Sequence, residues 1–471
     1  MSILKHSLSS TLVAASLALA ACGGGSSDSN TNTVEQSSTP ERLQDTRAYE
    51  VDPASLPFNS AEGSTTDTWW GTMKSGAGYR IEVPETWNGV LVMYAHGYRG
   101  TGEELTVSNP SFRGWLIDNN YAWAASSYSK NYYDVEAGVE DTNELALKFT
   151  EIAKANGRSL IAPHQIFIVG HSMGGHVAAA AVEQETLSSA KNQVFYDGAM
   201  PMCGVVGGTD EFDYLLDFTF AAQHVAGLGP DSYPADFDQT KIDAKLWSTP
   251  PSFQQQGSPT ADGIKLENIV RNLSGGDRPL FEAGFRGGFY NVVMGTGGRD
   301  GTVNGILAKD LSGNMDTFYQ LDNNPNRSTE ENTFNNTILR VEGDPQANAP
   351  RPAGLRYIPE VNGQFSVPVI TLHGLGDLYV PFVHEQSYRK RAIANGSDHL
   401  LVQRAIRDPS HCDFTDFEET KAFSDLVNWA NTGIKPEGDN VLDPEQVASD
   451  DYGCRFSDPT RDNILMNGCI L

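Results

Sequence analysis

The sequence predicts an α/β protein whose mostly parallel β-sheet is covered by helices on both faces. Three continuous apolar runs are typical of strands buried on both faces, at Val90–Ala95, Tyr121–Ser127 and Ile166–Val169. Between the second and third runs, apolar residues recur at helical spacing from Val135 to Ala153, which indicates an amphipathic crossover helix. Strands that alternate with helices in this way favour a parallel sheet.

The remaining elements continue the same alternation. A strand is expected over Tyr79–Val83 and a helix of small residues over Gly174–Val182. The last helix has a capping-box pattern at Thr415–Glu418 and is expected to end at Gly433. Three further apolar runs predict strands at Phe195–Met200, Val367–Leu372 and Leu400–Ile406.

The alternation breaks between residues 205 and 366, where Gly, Asn, Asp and Pro are frequent. We expect one insertion at the C-terminal edge of the sheet, with only short helical pieces such as Tyr214–Val225, which forms a lid or cap over the site. The expected organisation is a signal peptide (1–21), a flexible tether (22–45), a core in two parts (46–204 and 367–435), the insertion (205–366) and a C-terminal tail (436–471).

The charge of the chain excludes some classes of partner. The 471 residues carry a formal net charge of −27, so a nucleic acid would be repelled and no such partner is expected. Docking on anionic lipid through a basic face is disfavoured for the same reason. The content of 39% hydrophobic and 20% charged residues is that of an ordinary globular protein.

The N-terminal residues have the pattern of an export signal. An apolar run at Leu8–Leu19 is too short to span a bilayer permanently. It leads into Leu-Ala-Ala-Cys ending at Cys22, which resembles the bacterial lipobox, whose cysteine is acylated and becomes the new N-terminus. By this resemblance, Gly23 implies sorting to the outer membrane, with lipid chains as the membrane anchor. An ordinary secretory signal that carries a cysteine is the alternative.

Four cysteines remain after Cys22. An even number in an exported protein indicates two disulfide bonds, and three pairings are possible. We favour a local clip between Cys454 and Cys469 and a second bond between Cys203 and Cys412. The second bond would hold the loop after the final strand against the strand that follows the small-residue helix.

A G-x-S-x-G motif spans residues 170–174 and places Ser172 between a buried strand and the small-residue helix. This context is the one in which a nucleophilic serine sits on a sharp turn. The glycines allow the turn to form without side-chain clashes, and the helix N-terminus favours developing negative charge. A plain strand-to-helix turn is the alternative.

Two further segments complete a candidate catalytic triad. Asp377 follows a buried strand in the pattern H-G-x-x-D-x-x-V-P, and His411 follows the final strand. His411 is placed to act as general base for Ser172. The pattern around Asp377 resembles that of the triad acid in the α/β-hydrolase superfamily, and this resemblance implies that Asp377 orients His411. The other histidines near these segments are expected to be structural or exposed, namely His171, His176, His373, His384 and His399.

These motifs, in the order Ser, Asp, His, resemble the α/β-hydrolase superfamily, and within it secreted bacterial esterases and lipases. The resemblance covers about residues 79–206 and 367–433. It implies an α/β-hydrolase fold and hydrolysis of carboxylic esters. It also implies an oxyanion hole built from the backbone N–H groups of Tyr98, which follows His96-Gly97, and of Met173.

One cysteine lies directly beside the candidate histidine, at Cys412. Tannase-like and feruloyl esterases also have a cysteine in that place, but its partner there adjoins the serine. In this chain His171 stands beside Ser172 instead, and the expected partner, Cys203, lies elsewhere.

No metal and no cofactor are expected. Asp322, Asn324 and Asn326 have the first three spacings of a calcium loop, but Arg327 and Thr333 stand where glycine and glutamate are needed. The triad itself requires no cofactor.

The expected substrate is an ester, either a small molecule or a polymer, met outside the cytoplasm. A serine peptidase or amidase of the same fold is the first alternative, because the same triad cleaves amides. A non-catalytic surface binding protein is the second, and transfer of the acyl group to an alcohol is the third.

Overall fold

The computed structural model describes residues 47–229, 237–297 and 306–469. The expected signal peptide (1–21), the lipidation site Cys22 and the tether (22–45) lie outside the described residues, so these assignments stay predictions from the sequence. Within the three described ranges, no helix combines the length and the hydropathy needed to cross a membrane.

An eight-stranded sheet forms the centre of the protein, in the order β8-β7-β6-β5-β3-β4-β2-β1. β1 pairs with β2, and β2 with β4, in antiparallel fashion, and the other neighbours are parallel. This strand order defines the α/β-hydrolase fold and confirms the predicted fold class. The strands, in chain order, are β1 (Thr66–Thr72), β2 (Gly78–Pro84), β3 (Val90–Ala95), β4 (Ala122–Ser126), β5 (Gln165–His171), β6 (Gly198–Met202), β7 (Val369–Gly374) and β8 (Leu401–Ile406).

Helices and short elements account for much of the remaining described chain. Two small strand pairs join Glu50–Val51 to Glu104–Leu105 and Trp247–Thr249 to Ser258–Pro259. Short 3₁₀ turns occur at Pro53–Ser55 and Asp398–Leu400. The α-helices are α1 (Arg113–Asp118), α2 (Val135–Ala155), α3 (Met173–Ala181), α4 (Gln184–Ser189), α5 (Asp210–Val225), α6 (Gln239–Leu246), α7 (Ala261–Leu273), α8 (Phe281–Phe285), α9 (Phe289–Gly297), α10 (Thr329–Thr337), α11 (Val383–Asn395), α12 (Asp416–Thr432) and α13 (Pro444–Val447).

The two faces of the sheet have separate apolar cores. Successive side chains of a strand point to opposite faces, and β3 shows this clearly. Val90 and Val92 join the core that contains residues of α1 and α12. Leu91 and Met93 join the core that contains residues of α2 and α3. Burial on both faces explains why this strand reads as a continuous apolar run.

Some predicted boundaries differ from the structure. β6 begins at Gly198 and continues to Met202, whereas the sequence predicted a strand from Phe195. Phe195 is 75% exposed and precedes the sheet. The edge strand β1 was not predicted, because its polar sequence has only one buried residue, Trp69.

The segment 205–366 contains more helix than its composition suggested. Six helices, α5 to α10, lie in its described part, and α5 has 16 residues. Polar residues begin several of these helices by capping them. The Thr260 side chain accepts from the backbone N–H of Gly263, and Ser328 forms a capping box with Glu331. The role of the segment as a lid stays a prediction.

The C-terminal tail packs against the loop that follows β8. The Arg407 guanidinium donates to the backbone carbonyls of Asp450, Tyr452, Leu465 and Asn467. The disulfide bond between Cys454 and Cys469 closes the tail on itself. The tail therefore supports the loop that carries His411.

Candidate active site

Ser172 occupies a strained turn between β5 and α3, with φ 59° and ψ −124°. A non-glycine residue in this conformation costs of order 1–3 kcal/mol and persists only where its surroundings enforce it. Two close backbone contacts do so. A Cβ at position 170 would lie 2.1 Å from the Gly174 carbonyl oxygen, and a Cβ at position 174 would lie 2.1 Å from the Ala95 carbonyl oxygen. Both positions therefore require glycine.

The structure brings together the three residues of the candidate triad. His411 Nε2 lies 2.9 Å from Ser172 Oγ, and His411 Nδ1 lies 2.6 Å from Asp377 Oδ2. Asp377 is fully buried, and its second oxygen accepts from the backbone N–H groups of Tyr379 and Val380, both at 3.0 Å. With Nδ1–H donating to the carboxylate, Nε2 is free to accept the serine proton.

The predicted oxyanion donors belong to two segments near the serine: Met173 follows Ser172 directly, and Tyr98 follows Gly97, which lies beside Ser172. Met173 is the first residue of α3, and Gly97 approaches so closely that a Cβ there would lie 3.2 Å from Ser172 Cβ. The His96 ring stacks on Tyr128, whose hydroxyl donates to the His96 carbonyl at 2.9 Å. Burial, the main cause, lowers the pKa of His96 to about 4. The His96 side chain therefore holds the loop as a neutral ring.

Two other histidines are buried and neutral. His176 Nε2 contacts the Pro359 carbonyl at 2.7 Å, and burial lowers its pKa to about 4. His384 accepts from the Gly207 N–H at Nδ1 and donates from Nε2 to Glu211 at 2.7 Å. Burial lowers the pKa of His384 to about 3. Neither ring is placed to serve Ser172.

His171, next to the nucleophile, is held from the other face of the sheet. Its Nε2 lies 2.8 Å from Glu419 on α12, and its Nδ1 lies 3.2 Å from the Tyr94 hydroxyl. Glu419 also accepts from the Ser111 hydroxyl at 2.6 Å. These contacts fix the start of the turn at Ser172. Sequence reasoning missed Glu419, because its only signal was an acidic residue in the first turn of a helix.

A buried ion pair supports Asp377. His373 Nε2 donates to the Val380 carbonyl at 2.9 Å, and the Val380 N–H donates to Asp377. His373 Nδ1 lies 3.3 Å from Glu385 Oε1, and Glu385 accepts from the Thr371 hydroxyl at its other oxygen. The chain of contacts runs from Glu385 through His373 and the Val380 peptide to the triad carboxylate.

The charges of this pair stabilise each other. Burial lowers the pKa of His373, but the adjacent Glu385 carboxylate more than offsets this, and the pKa is raised above its usual value. Burial raises the pKa of Glu385, but His373 and the hydrogen bonds to the carboxylate hold it below its usual value. The sequence placed His373 at a strand end and gave no signal for Glu385.

The disulfide bond between Cys203 and Cys412 contacts both the serine and the histidine. The Ser172 N–H donates to Cys203 Sγ at 3.3 Å, and Cys412 Sγ lies 3.3 Å from His411 Nε2. Both cysteines have positive φ, 43° and 62°. Cys203, His411 and Cys412 are close enough together to suggest metal ligands, but the two sulfurs are bonded to each other and offer no thiolate.

Comparison with known proteins relates the chain to hydrolases. No family model matches it. It is similar to an o-phthalyl amidase of Xanthobacter agilis, with 23% identity over 425 residues, which cover 78% of this chain and 88% of that protein. Similar solved structures include feruloyl esterase B from Aspergillus oryzae, with a TM-score of 0.42 and 13% identity over 83% of this chain and 86% of that chain. Candida antarctica lipase A has a TM-score of 0.36 and 15% identity over 79% and 78%.

The chain is therefore an α/β-hydrolase in its fold, which its own strand order defines. At the carboxyl edge of that sheet, His411 lies within hydrogen-bond distance of both Ser172 and Asp377.

Replacement of both Cys203 and Cys412 by serine is expected to lower kcat/KM by about 100-fold, because a displacement of His411 by about 1 Å can cost that much. The measurement is hydrolysis of p-nitrophenyl acetate beside circular dichroism. The matched control replaces Cys454 and Cys469 in the C-terminal tail, which act on the histidine loop only through the tail, and should therefore lose less activity. Equal losses in the two double variants would contradict a local role for the first bond.

Glu385→Gln is expected to destabilise the protein by about 3–5 kcal/mol, because it leaves His373 without its buried counter-charge. His373, with a raised pKa, contributes stability that is lost as the pH rises through that pKa. Glu385, with a lowered pKa, contributes stability that is lost as the pH falls through that pKa. The difference in unfolding free energy between the wild type and Glu385→Gln should therefore be largest at pH values between the pKa of Glu385 and the pKa of His373.

Urea unfolding across a pH series measures this difference, with Glu151→Gln on the exposed side of α2 as control. A deficit that does not vary with pH would show that the charges of the pair contribute nothing.

Proposed function

We propose that the protein is a serine hydrolase that cleaves carboxylic esters through an acyl-enzyme. The observation that carries the proposal is the placement of His411 between Ser172 Oγ, at 2.9 Å, and Asp377 Oδ2, at 2.6 Å. A general base must lie within hydrogen-bond reach of the proton that it removes, and its orienting carboxylate must lie on the opposite nitrogen.

In the first half of the reaction, Ser172 Oγ attacks the ester carbonyl carbon and its proton passes to His411 Nε2. The π electrons of the carbonyl move to oxygen, and the backbone N–H groups of Met173 and Tyr98 would stabilise that oxyanion. Asp377 stabilises the imidazolium through Nδ1–H. When the carbonyl re-forms, the bond to the leaving alcohol breaks and Nε2 gives its proton to the alcohol oxygen.

In the second half, a water molecule attacks the acyl group on Ser172 Oγ. His411 Nε2 takes a proton from the water and then returns it to Oγ, which releases the carboxylic acid. Each step moves one proton between oxygen and Nε2, and the chemistry uses no cofactor.

An amidase is the second candidate, and the similarity to the o-phthalyl amidase favours it. The same residues would act, with the amine in the place of the alcohol. Protonation of the leaving nitrogen by His411 would then be more demanding, because an unprotonated nitrogen would have to depart as an amide anion, which leaves a tetrahedral intermediate far less readily than an alkoxide. We place the ester first for this reason.

We further propose that the enzyme is exported and attached to the cell envelope through lipid on Cys22. Two disulfide bonds support export, because such bonds persist in oxidising compartments. The substrate would then be a small or polymeric ester outside the cytoplasm.

Labelling by a fluorophosphonate probe tests the proposed nucleophile. The protein from residue 23 onward should be labelled, Ser172→Ala should abolish labelling, and His411→Ala should reduce its rate by at least about 100-fold. Ser188→Ala, a change of an exposed serine on α4, is the control and should be labelled as the wild type is. Equal labelling of wild type and Ser172→Ala would overturn the assignment.

Matched substrates separate esters from amides. With one acyl group, for example acetyl, the p-nitrophenyl ester is expected to be hydrolysed and the p-nitroanilide to be at least about 100-fold poorer in kcat/KM. Comparable values, both lost in Ser172→Ala, would make the amidase the better description.

A further inference from the structure

A cavity of about 300 Å³ adjoins the loop that carries His411. One wall is formed by Pro409 and Ser410, immediately before the histidine. The other walls are the loop 252–256, the glycines at the end of α8 and after it, and Phe289 at the start of α9. The cavity thus begins at the loop that carries His411, and residues of the 205–366 segment form its other walls.

Aromatic rings connect this cavity to the triad. The Phe289 ring lies 5.7 Å from the His411 ring, centroid to centroid, at an interplanar angle of 70°. Tyr379 contacts His411 at 5.4 Å and 83°, and stacks against Phe289 at 6.2 Å. Phe253 meets the far side of this group, at 5.3 Å and 83° from Phe289. An aromatic surface therefore extends from His411 to the rim of the cavity.

Phe253 at the rim is 66% exposed. A large apolar side chain left in water at a cavity mouth is typical of ligand-binding surfaces. The ring lies close to the backbone of Gly288, where a Cβ would lie only 2.6 Å from the Phe253 ring. The absence of a side chain at that position lets the ring approach the chain closely beside the opening.

The chemistry assigns one side of the substrate to this cavity. His411 Nε2 takes the proton of the serine and must then deliver it to the leaving oxygen, so the leaving group lies on the histidine side of the tetrahedral intermediate. The Phe289 ring packs edge-on against the His411 ring and Ser410 directly precedes the histidine, so both lie beside the residue that protonates the leaving group. The acyl group takes the fourth direction of the tetrahedral carbon, because the serine, the oxyanion and the leaving group take the other three.

A second cavity, of about 620 Å³, lies next to the first. The two cavities share Gln256, Ala283 and Pro409 as lining residues, and the second is also lined by Leu465 in the C-terminal tail.

We propose that this cavity is the leaving-group subsite and that it selects a planar, aromatic alcohol, which packs against Phe253 and Phe289. The inference rests on the proposed hydrolase function and specifies its substrate class. Aromatic pairs in edge-to-face or offset geometry gain energy beyond the area that they bury. The subsite should therefore distinguish an aromatic ring from a saturated ring of the same size.

Benzyl acetate and cyclohexylmethyl acetate provide the test. They share an acyl group, and their alcohols are both primary, of similar size and similar acidity, so that intrinsic reactivity cancels in the ratio of kcat/KM. The wild type is expected to prefer benzyl acetate by about 3- to 10-fold. Phe253→Leu and Phe289→Leu keep apolar bulk and should each bring the ratio towards one.

Phe195→Leu, which changes an exposed ring outside the cavity lining, should leave the ratio unchanged. Phe253 is exposed, so its variant tests the subsite without a demand on folding. Circular dichroism and fluorophosphonate labelling of every variant check that the fold and the serine are intact.

Each outcome has a distinct meaning. Suppose first that the enzyme is labelled and hydrolyses p-nitrophenyl acetate. A wild-type ratio near one would then overturn the subsite but not the hydrolase function, and so would a preference for benzyl acetate that both phenylalanine variants keep. Folded wild type that is neither labelled nor active on these esters or on the matching benzyl and cyclohexylmethyl amides overturns the proposed function and the subsite with it.

Discussion

The site depends on the parallel alignment of β5, β7 and β8. Because the carboxyl ends of parallel strands meet at one edge of a sheet, residues far apart in the chain can approach there. Ser172 follows β5, Asp377 follows β7 and His411 follows β8, and the hydrogen bonds of His411 join all three. The serine turn is in turn fixed by backbone contacts that leave room only for glycine at positions 170 and 174. A change in strand register would separate all of these groups at once.

Buried polar side chains surround the reacting groups and fix their positions without taking part in the reaction. His373 and Glu385 support the peptide that binds Asp377, and Glu419 fixes the residue before the serine. Arg407 ties the C-terminal tail under the histidine loop. Burial of polar groups is costly unless each has a partner. Their pairing makes the positions of the catalytic side chains sharply defined, which reaction geometry requires.

The sequence alone was sufficient for the fold class, and it singled out the three residues that the structure brings together. Ser172, Asp377 and His411 each follow an apolar run and stand within a short local pattern, so neighbouring residues identify them. Glu385 and Glu419 could not be found in this way, because each looks like an ordinary helical carboxylate whose partner lies on a different element. Glu419 also reaches His171 across a separation of 248 residues. The helices of the 205–366 segment were underestimated for a similar reason. Their stability comes from packing against distant elements, while their composition suggests turns.

The bond between Cys203 and Cys412 has a sequence separation of 209 and so closes a covalent ring that includes the entire 205–366 segment. The entropy of closing a flexible loop changes slowly with its length, by about 0.6 kcal/mol for each doubling. The entropic gain from this bond therefore changes little when residues are inserted into or deleted from that segment. Whatever the length of the ring, the bond holds its two ends beside the serine and the histidine.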